Sequence, residues 1–527
     1  MGVDRRLLTS LSILIVLIVT ACGTTVPAEQ QELAEAIAET GEDLGGALPE
    51  GATINEKGQV VSETGEVLGD AEDFGISTDS SGSVTTADSS DTDTGDTTGT
   101  TERVDPGENG PGITASTIKI GVAYADDAEE ANAAVGATSG ASQINTRRAY
   151  EAMIDYVNAN GGVAGRKLEP VFHRLSATST EPYDQQDQEV CAHWTQDDPV
   201  FVGDGGFKTE NGVACMQKAG MVTITTNGLR FKSNAFFERY PTYLEFDGVD
   251  NDSIARIYAD NMKKMGLFDE GYKLGIVSWT ESEYANPTKN VLVPRLQQLG
   301  IEVSDVTYIT TPDSGGEAAG PIAQVGNTAV RYKGDGITHV MFMDLGANLA
   351  FFFMQAAQRQ QYFPRYGLHS GSGGTALANL LKSGGDQEAR QQLEDAVAVG
   401  WVPSLELRQE DIPSWAQSTA SKVCYKQMRE GGVEMNDSNA RSLALAVCDA
   451  IWTIQATLDA IPGNVINQQT WYQGLARLNA MNVQLTGGMG FNITQTRRDG
   501  IEYAAQVKFF ADCVCFKYTS GRFEIPD

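Results

Sequence analysis

Residues Thr117 to Lys167 constrain the fold more tightly than any other stretch of the chain. Ile118, Ile120 and Val122 alternate with Thr117, Lys119 and Gly121, the two-residue period of a strand. A polar, small-residue loop follows over 126–145, and then Ala149, Met153, Ile154 and Val157 recur at helical spacing. The helix is expected to stop at Asn158-Ala159-Asn160-Gly161-Gly162, because Asn and Gly supply the left-handed conformations that end helices. Leu168-Glu169-Pro170-Val171-Phe172 then restarts a strand. Strand, helix and strand in this order form a βαβ unit, which implies a parallel sheet.

The same stretch resembles the opening of the type I periplasmic binding proteins, the leucine/isoleucine/valine-binding receptors of ABC importers. That family begins with a T-I-K-I-G-V strand and, after a loop and a helix, an N-x-x-G-G-x-x-G-R-K turn. Here these are Thr117-Ile118-Lys119-Ile120-Gly121-Val122 and Asn158 to Lys167. The resemblance implies an α/β fold of two doubly wound, Rossmann-like lobes joined by a three-crossing hinge.

The rest of the chain is read against that expectation. The first 21 residues carry Arg5 and Arg6, then the apolar run Leu7 to Val19, and end Val19-Thr20-Ala21 before Cys22. The run has the length of a signal-peptide core and is short for a spanning helix. Val19-Thr20-Ala21-Cys22 matches a bacterial lipobox, so Cys22 is the expected lipidation site and the outer face of the cell membrane the expected location. Residues 22–112 are rich in Ser, Thr, Gly, Asp and Glu, most extremely over 77–101. Such a composition cannot build a core and reads as a tether. As a flexible coil of some ninety residues, it would span on the order of 50 Å. Ala28 to Ala38 has helix-forming composition. Glu56-Lys57-Gly58-Gln59-Val60-Val61 is echoed by Glu63-Thr64-Gly65-Glu66-Val67-Leu68, which reads as chance or as a marginal hairpin, since two isolated strands are barely stable.

Lobe 1 is expected over 113–242 and 376–486, and lobe 2 over 243–375 and 487–527. The alternation of strands and helices breaks at Tyr240-Pro241-Thr242, the first crossing. The Gly-rich segment Ser370 to Thr375 is the expected second crossing, and Gly487 to Asn492 resembles the family's late turn. The formal net charge is −32, and 21 of the acidic residues against two basic ones fall between Gly23 and Gly110. Acidic flanks on an acidic globule repel phosphate, so nucleic acid is set aside as a partner.

Outside the cytoplasm, an even set of cysteines beyond Cys22 points to disulfides. Cys191 and Cys215 lie on successive helical stretches, as do Cys424 and Cys448, and each couple is paired locally. Cys513 and Cys515 sit wide for a bridge if both lie on one extended strand. A metal site finds no support in the four histidines, none of which lies near the C-x-C in sequence, and no cofactor is expected.

Ligands of open α/β sheets bind beyond the carboxyl ends of the strands. The candidate ligand residues are therefore Tyr124 and Asp126, Phe207, Thr225 and Thr226, then Trp279, Glu281 and Tyr284, and last Asp344 and Ser372. By resemblance, Thr225 and Thr226 match the loop that holds an amino-acid carboxylate, and Asp344 takes the place of the acid that meets the ammonium. Phe207 and Lys208 stand where the family offers a serine. The predicted cleft loops carry Asp126, Asp127, Asp204, Glu281, Glu283 and Asp344 against Lys208, a balance that favours cationic, zwitterionic or neutral ligands. Phe207, Trp279 and Tyr284 add aromatic faces. No P-loop ending, G-x-G-x-x-G, H-E-x-x-H or G-x-S-x-G fingerprint occurs, so an enzyme is not expected. The resemblance implies a monomeric solute-binding lipoprotein. It would deliver an amino acid-like molecule, amide or amine to ABC permease subunits. A surface sensor and a structural or adhesive lipoprotein are the alternatives.

Overall fold

The computed structural model describes residues 53–54, 59–61, 67–70, 108–137, 142–205, 207–225, 232–344, 347–478, 487–491, 493 and 497–526. The chain divides into two units, Met1–Glu102 and Arg103–Asp527. In the first, β1 (Thr53–Ile54), β2 (Gln59–Val61) and β3 (Val67–Asp70) form an antiparallel sheet in that order. The near-repeat is therefore paired, with Val60 opposite Gly69, which is the hairpin of the two alternatives, and β1 adds a third strand. Cys22 and the helix expected over Ala28 to Ala38 lie outside the described residues.

The second unit contains two sheets. The first is wholly parallel: β4 (Thr117–Ala125), β5 (Lys167–Leu175), β6 (Val202–Asp204), β7 (Val222–Ile224) and β8 (Tyr243–Leu244) lie in the order β5-β4-β6-β7-β8. Helix Thr146–Ala159 connects β4 to β5 as predicted. The Asn145 side chain accepts a hydrogen bond from the Arg148 N–H at its start, and Ala149, Tyr150, Met153, Ile154 and Val157 are buried along one face. Beneath the sheet, Trp194 is fully buried. Side-chain carbons placed at Gly121 and Gly203 would come within 2.5 Å and 3.0 Å of its ring, so those two strand positions must be glycine.

The second sheet runs β10-β9-β11-β12-β13-β14-β15, from β9 (Leu274–Trp279), β10 (Val303–Ile309), β11 (His339–Met343), β12 (Arg365–His369), β13 (Val397–Gly400), β14 (Tyr503–Phe510) and β15 (Cys515–Tyr518). It is parallel as far as β13, where β14 joins antiparallel; β16 (Phe523–Glu524) pairs with β14. The expectation that residues from 376 belong to lobe 1 is corrected by β13, which lies between β12 and β14. The second crossing therefore comes after Gly400 and not at Ser370 to Thr375, which instead holds a buried turn beside β12. Helices Thr419–Glu430 and Ser438–Asp459 then pack on helix Thr146–Ala159 of the first lobe. The crossings after β8 and before β14 run side by side: the Glu245 N–H donates to the Arg498 carbonyl (2.8 Å) and the Gly500 N–H to the Glu245 carbonyl (2.9 Å).

Helix Ala319–Asp335 was not legible because Gly320, Pro321, Gly326 and Gly334 interrupt it. Carbons added at Gly320 and Gly334 would meet nothing within 4 Å, so these glycines lie on the open face. Val325, Thr328, Ala329 and Tyr332 are buried on the other. No helix among the described residues is long and apolar enough to cross a membrane.

Three disulfides are present, Cys191–Cys215, Cys424–Cys448 and Cys513–Cys515. The last is possible because Cys513 lies in the turn 511–514 and not on an extended strand. Val514 is left-handed there (φ 48°), and the two Cα atoms stand 5.2 Å apart. Peptide mapping without reductant should recover all three pairs, and a free thiol at any of the six positions would contradict this assignment.

Candidate ligand cleft

Each sheet reverses its winding next to its first strand. The chain moves from β4 to β5 on one side and to β6 on the other, and from β9 to β10 and then to β11. The carboxyl ends of β4 and β6 and of β9 and β11 are therefore the places where a crevice opens.

The loops beyond the neighbouring edge strands, β5 and β10, touch across the cleft. The Tyr183 N–H donates to the Asp313 carbonyl (2.7 Å) and the Gly316 N–H to the Ser179 carbonyl (2.9 Å). The backbones approach so closely that a carbon added at Gly315 would lie 2.1 Å from the Ala177 carbonyl oxygen. Loop 176–183 of the first lobe and loop 313–316 of the second thus form a main-chain clasp.

Next to the clasp lie two cavities. One, about 260 Å³, is lined by Trp279, Glu281, Tyr284, Thr311, Ile322, Val325, Asn348, Leu349 and Phe352 of the second lobe, with Tyr183 and Lys208 of the first. The other, about 290 Å³, is lined by first-lobe residues including Tyr124, Ile144, Leu175, Gln186, Leu443 and Val447, again with Tyr183 and Lys208. Helix Tyr183–Ala192 sets both shared side chains. It begins with Tyr183, and one turn later the buried Asp187 accepts the Lys208 N–H (3.1 Å) and the Thr209 N–H (2.6 Å). Burial pushes the Asp187 carboxyl above its ordinary pKa, and these hydrogen bonds oppose the shift.

Of the residues predicted from sequence, Tyr124, Trp279, Glu281 and Tyr284 line the cavities. Asp126 is on the exposed surface, where Arg174 donates to both its oxygens (2.9 and 3.0 Å) and holds its pKa down. Phe207 points into the core, its ring edge-on to Trp194 at 6.0 Å. Thr225 is buried, donating its N–H to the Leu244 carbonyl (3.0 Å). Asp344 accepts the Ala350 N–H (3.0 Å) in the first turn of helix Asn348–Arg359. Ser372 is fully buried in the turn after β12, and Thr226 lies outside the described residues.

The predicted excess of negative charge in the cleft is corrected for the same reason: most of its acids are committed to structure. Burial alone would raise the Asp127 pKa, but hydrogen bonds from Ser176, Ala177 and Thr178 outweigh it and hold the group at about 2. Asp204 accepts the Tyr150 hydroxyl, and Glu283 accepts the Ser233 N–H (2.6 Å). Among the residues lining the two cavities, Glu281 carries the negative charge and Lys208 the positive one. Sequence reading missed Ile322 and Val325 because their helix was not legible, and Leu443 and Val447 because their helix comes some 300 residues after Ile144.

No protein-family model matches the chain, and no curated protein matches its sequence. Solved structures do. A substrate-binding protein of an ABC transporter from Desulfitobacterium hafniense, in complex with Leu, is 15% identical with a TM-score of 0.51, covering 76% of this chain and 100% of that one. A solute-binding protein from Rhodopseudomonas palustris HaA2 with p-hydroxybenzoic acid is 12% identical with a TM-score of 0.55, covering 78% and 98%. A branched-chain amino acid ABC transporter protein from Thermus thermophilus with bound valine is 14% identical with a TM-score of 0.53, covering 78% and 96%. The fold is therefore that of the type I periplasmic binding proteins, two α/β lobes with parallel sheets.

Proposed function

We propose that this chain is an extracytoplasmic solute-binding lipoprotein, a binding protein and not an enzyme. It captures a small molecule between its lobes and hands it to an ABC importer. The observation that carries the reading is the cavity of about 260 Å³ closed by residues of both lobes, with Lys208 and Glu281 on its wall. A cleft shared by two lobes couples occupancy to closure, because a ligand that touches both sides binds the closed state more tightly. Related folds hold leucine, valine or p-hydroxybenzoic acid, all small and partly apolar.

An amino acid-like ligand is favoured over a simple amine or amide. Lys208 and Glu281 offer opposite charges to a carboxylate and an ammonium, while Trp279, Ile322, Val325 and Phe352 offer apolar surface to a side chain. A dianion such as a dicarboxylate would meet Glu281 and, among the described lining residues, the single cation Lys208, which disfavours it. Native mass spectrometry of the purified protein should show a retained small molecule that is lost on unfolding. A ligand-free mass in preparations that remain folded, together with no response to amino acids, would overturn the reading.

The lipid anchor rests on Val19-Thr20-Ala21-Cys22. Cys22→Ala should release the protein into the medium or leave an unprocessed precursor, and fractionation of cells separates these outcomes. Fully processed, membrane-bound Cys22→Ala protein would rule the anchor out.

A further inference from the structure

The two cavities share a wall. Tyr183 and Lys208 line both, so the chambers adjoin at these two residues. At about 290 and 260 Å³, each falls just short of the roughly 300 Å³ at which small-molecule sites usually begin. Each lining includes apolar side chains, Ile144 and Leu443 in the first and Ile322 and Phe352 in the second.

We propose that the ligand is an apolar dipeptide that places one side chain in each chamber and its peptide link at Tyr183 and Lys208. The inference rests on the solute-binding reading above and specifies its ligand. A buried peptide link must have its N–H and C=O paired. The Tyr183 hydroxyl and the Lys208 ammonium are the polar groups shared by the two linings, Asn348 lines the second chamber, and Gln186, whose amide donates to the Glu181 carbonyl (2.8 Å), brings its side-chain oxygen to the lining of the first. Lys208 meets the terminal carboxylate and Glu281 the terminal ammonium. A single amino acid fills one chamber and leaves the apolar lining of the other to water. Two linked apolar groups bury both linings while losing translational and rotational freedom only once.

The test is calorimetric titration of the purified full-length protein, freed of retained ligand, with L-leucyl-L-phenylalanine, L-leucine and L-phenylalanine. The dipeptide is expected to bind at least about tenfold more tightly than either amino acid. Leu443→Trp fills the first-lobe chamber and should bring that ratio close to one. Ala128→Phe, which narrows the same chamber from the half-buried helix Ala128–Ala134, should do the same and serves if the first variant does not fold. Leucine or phenylalanine binding as tightly as the dipeptide, or a ratio that survives both variants, would overturn the two-chamber proposal and leave the solute-binding reading standing. No binding of the dipeptide, with a different small molecule retained by mass spectrometry, would overturn the proposal in the same way. A protein that retains nothing and binds none of the three would overturn both.

Discussion

Trp194→Ala is expected to destabilise the first lobe by about 3–5 kcal/mol, the usual cost of removing a fully buried large aromatic from a core. Trp194 sits under β4 and β6 where Gly121 and Gly203 make room for its ring, and Phe207 closes over it. The substitution leaves a void that two glycine strand positions cannot fill by rotamer changes, so relaxation should recover little of the loss. Chemical denaturation followed by fluorescence would measure it, with a lower midpoint at unchanged slope expected. A loss below about 1 kcal/mol would mean that the strands close over the gap, contradicting the rigid sheet on which the first-lobe cavity wall depends.

Gly315→Val is expected to open the cleft. A side chain at this position meets the Ala177 carbonyl oxygen at 2.1 Å, a backbone atom that no rotamer change can move aside. The lobes must separate there, and the hydrogen bonds from Tyr183 to Asp313 and from Gly316 to Ser179 are lost with the contact. Two such bonds contribute about 2 kcal/mol net, so the closed-to-open ratio should fall by about thirtyfold. Because loop 313–316 lies outside both cores, the unfolding transition should stay near that of the parent protein. Small-angle scattering would register the opening as a larger radius of gyration, and an unchanged radius with full ligand retention would show that the clasp does not hold the lobes together.

How far the sequence revealed this molecule depended on which forces left a local trace. The strand Thr117 to Val122 and the helix after it were legible because burial on one face imposes a period on the residues. Helix Ala319–Asp335 was not, since Gly320, Pro321, Gly326 and Gly334 weaken its helical pattern. The position of β13 was hidden for a different reason: strand order is fixed by which edge receives the strand, and Val397 to Gly400 carries no mark of its neighbours. For the cleft, position after a strand found Tyr124, Trp279, Glu281 and Tyr284. It did not reveal which of the acids line a cavity. Asp127, Asp204, Glu283 and Asp344 follow strands as Glu281 does, yet loop, tyrosine and helix N–H or O–H groups claim them. For Asp127, Asp204 and Glu283 those partners lie 50 to 54 residues away in sequence. Lys208 looked like a departure from the expected serine, and only the fold shows it shared by two chambers.

The central claim, that the two lobes close on a small molecule, is tested most directly by a distance between them. Spin labels at the exposed positions Glu169 on β5 and Glu302 beside β10 report that distance by pulsed electron resonance. In protein stripped of its ligand by unfolding and refolding, re-addition of the molecule identified by mass spectrometry should shorten and narrow the distribution. The same addition to Gly315→Val should leave it longer and broader. An identical distribution with and without a bound molecule would contradict closure on a ligand.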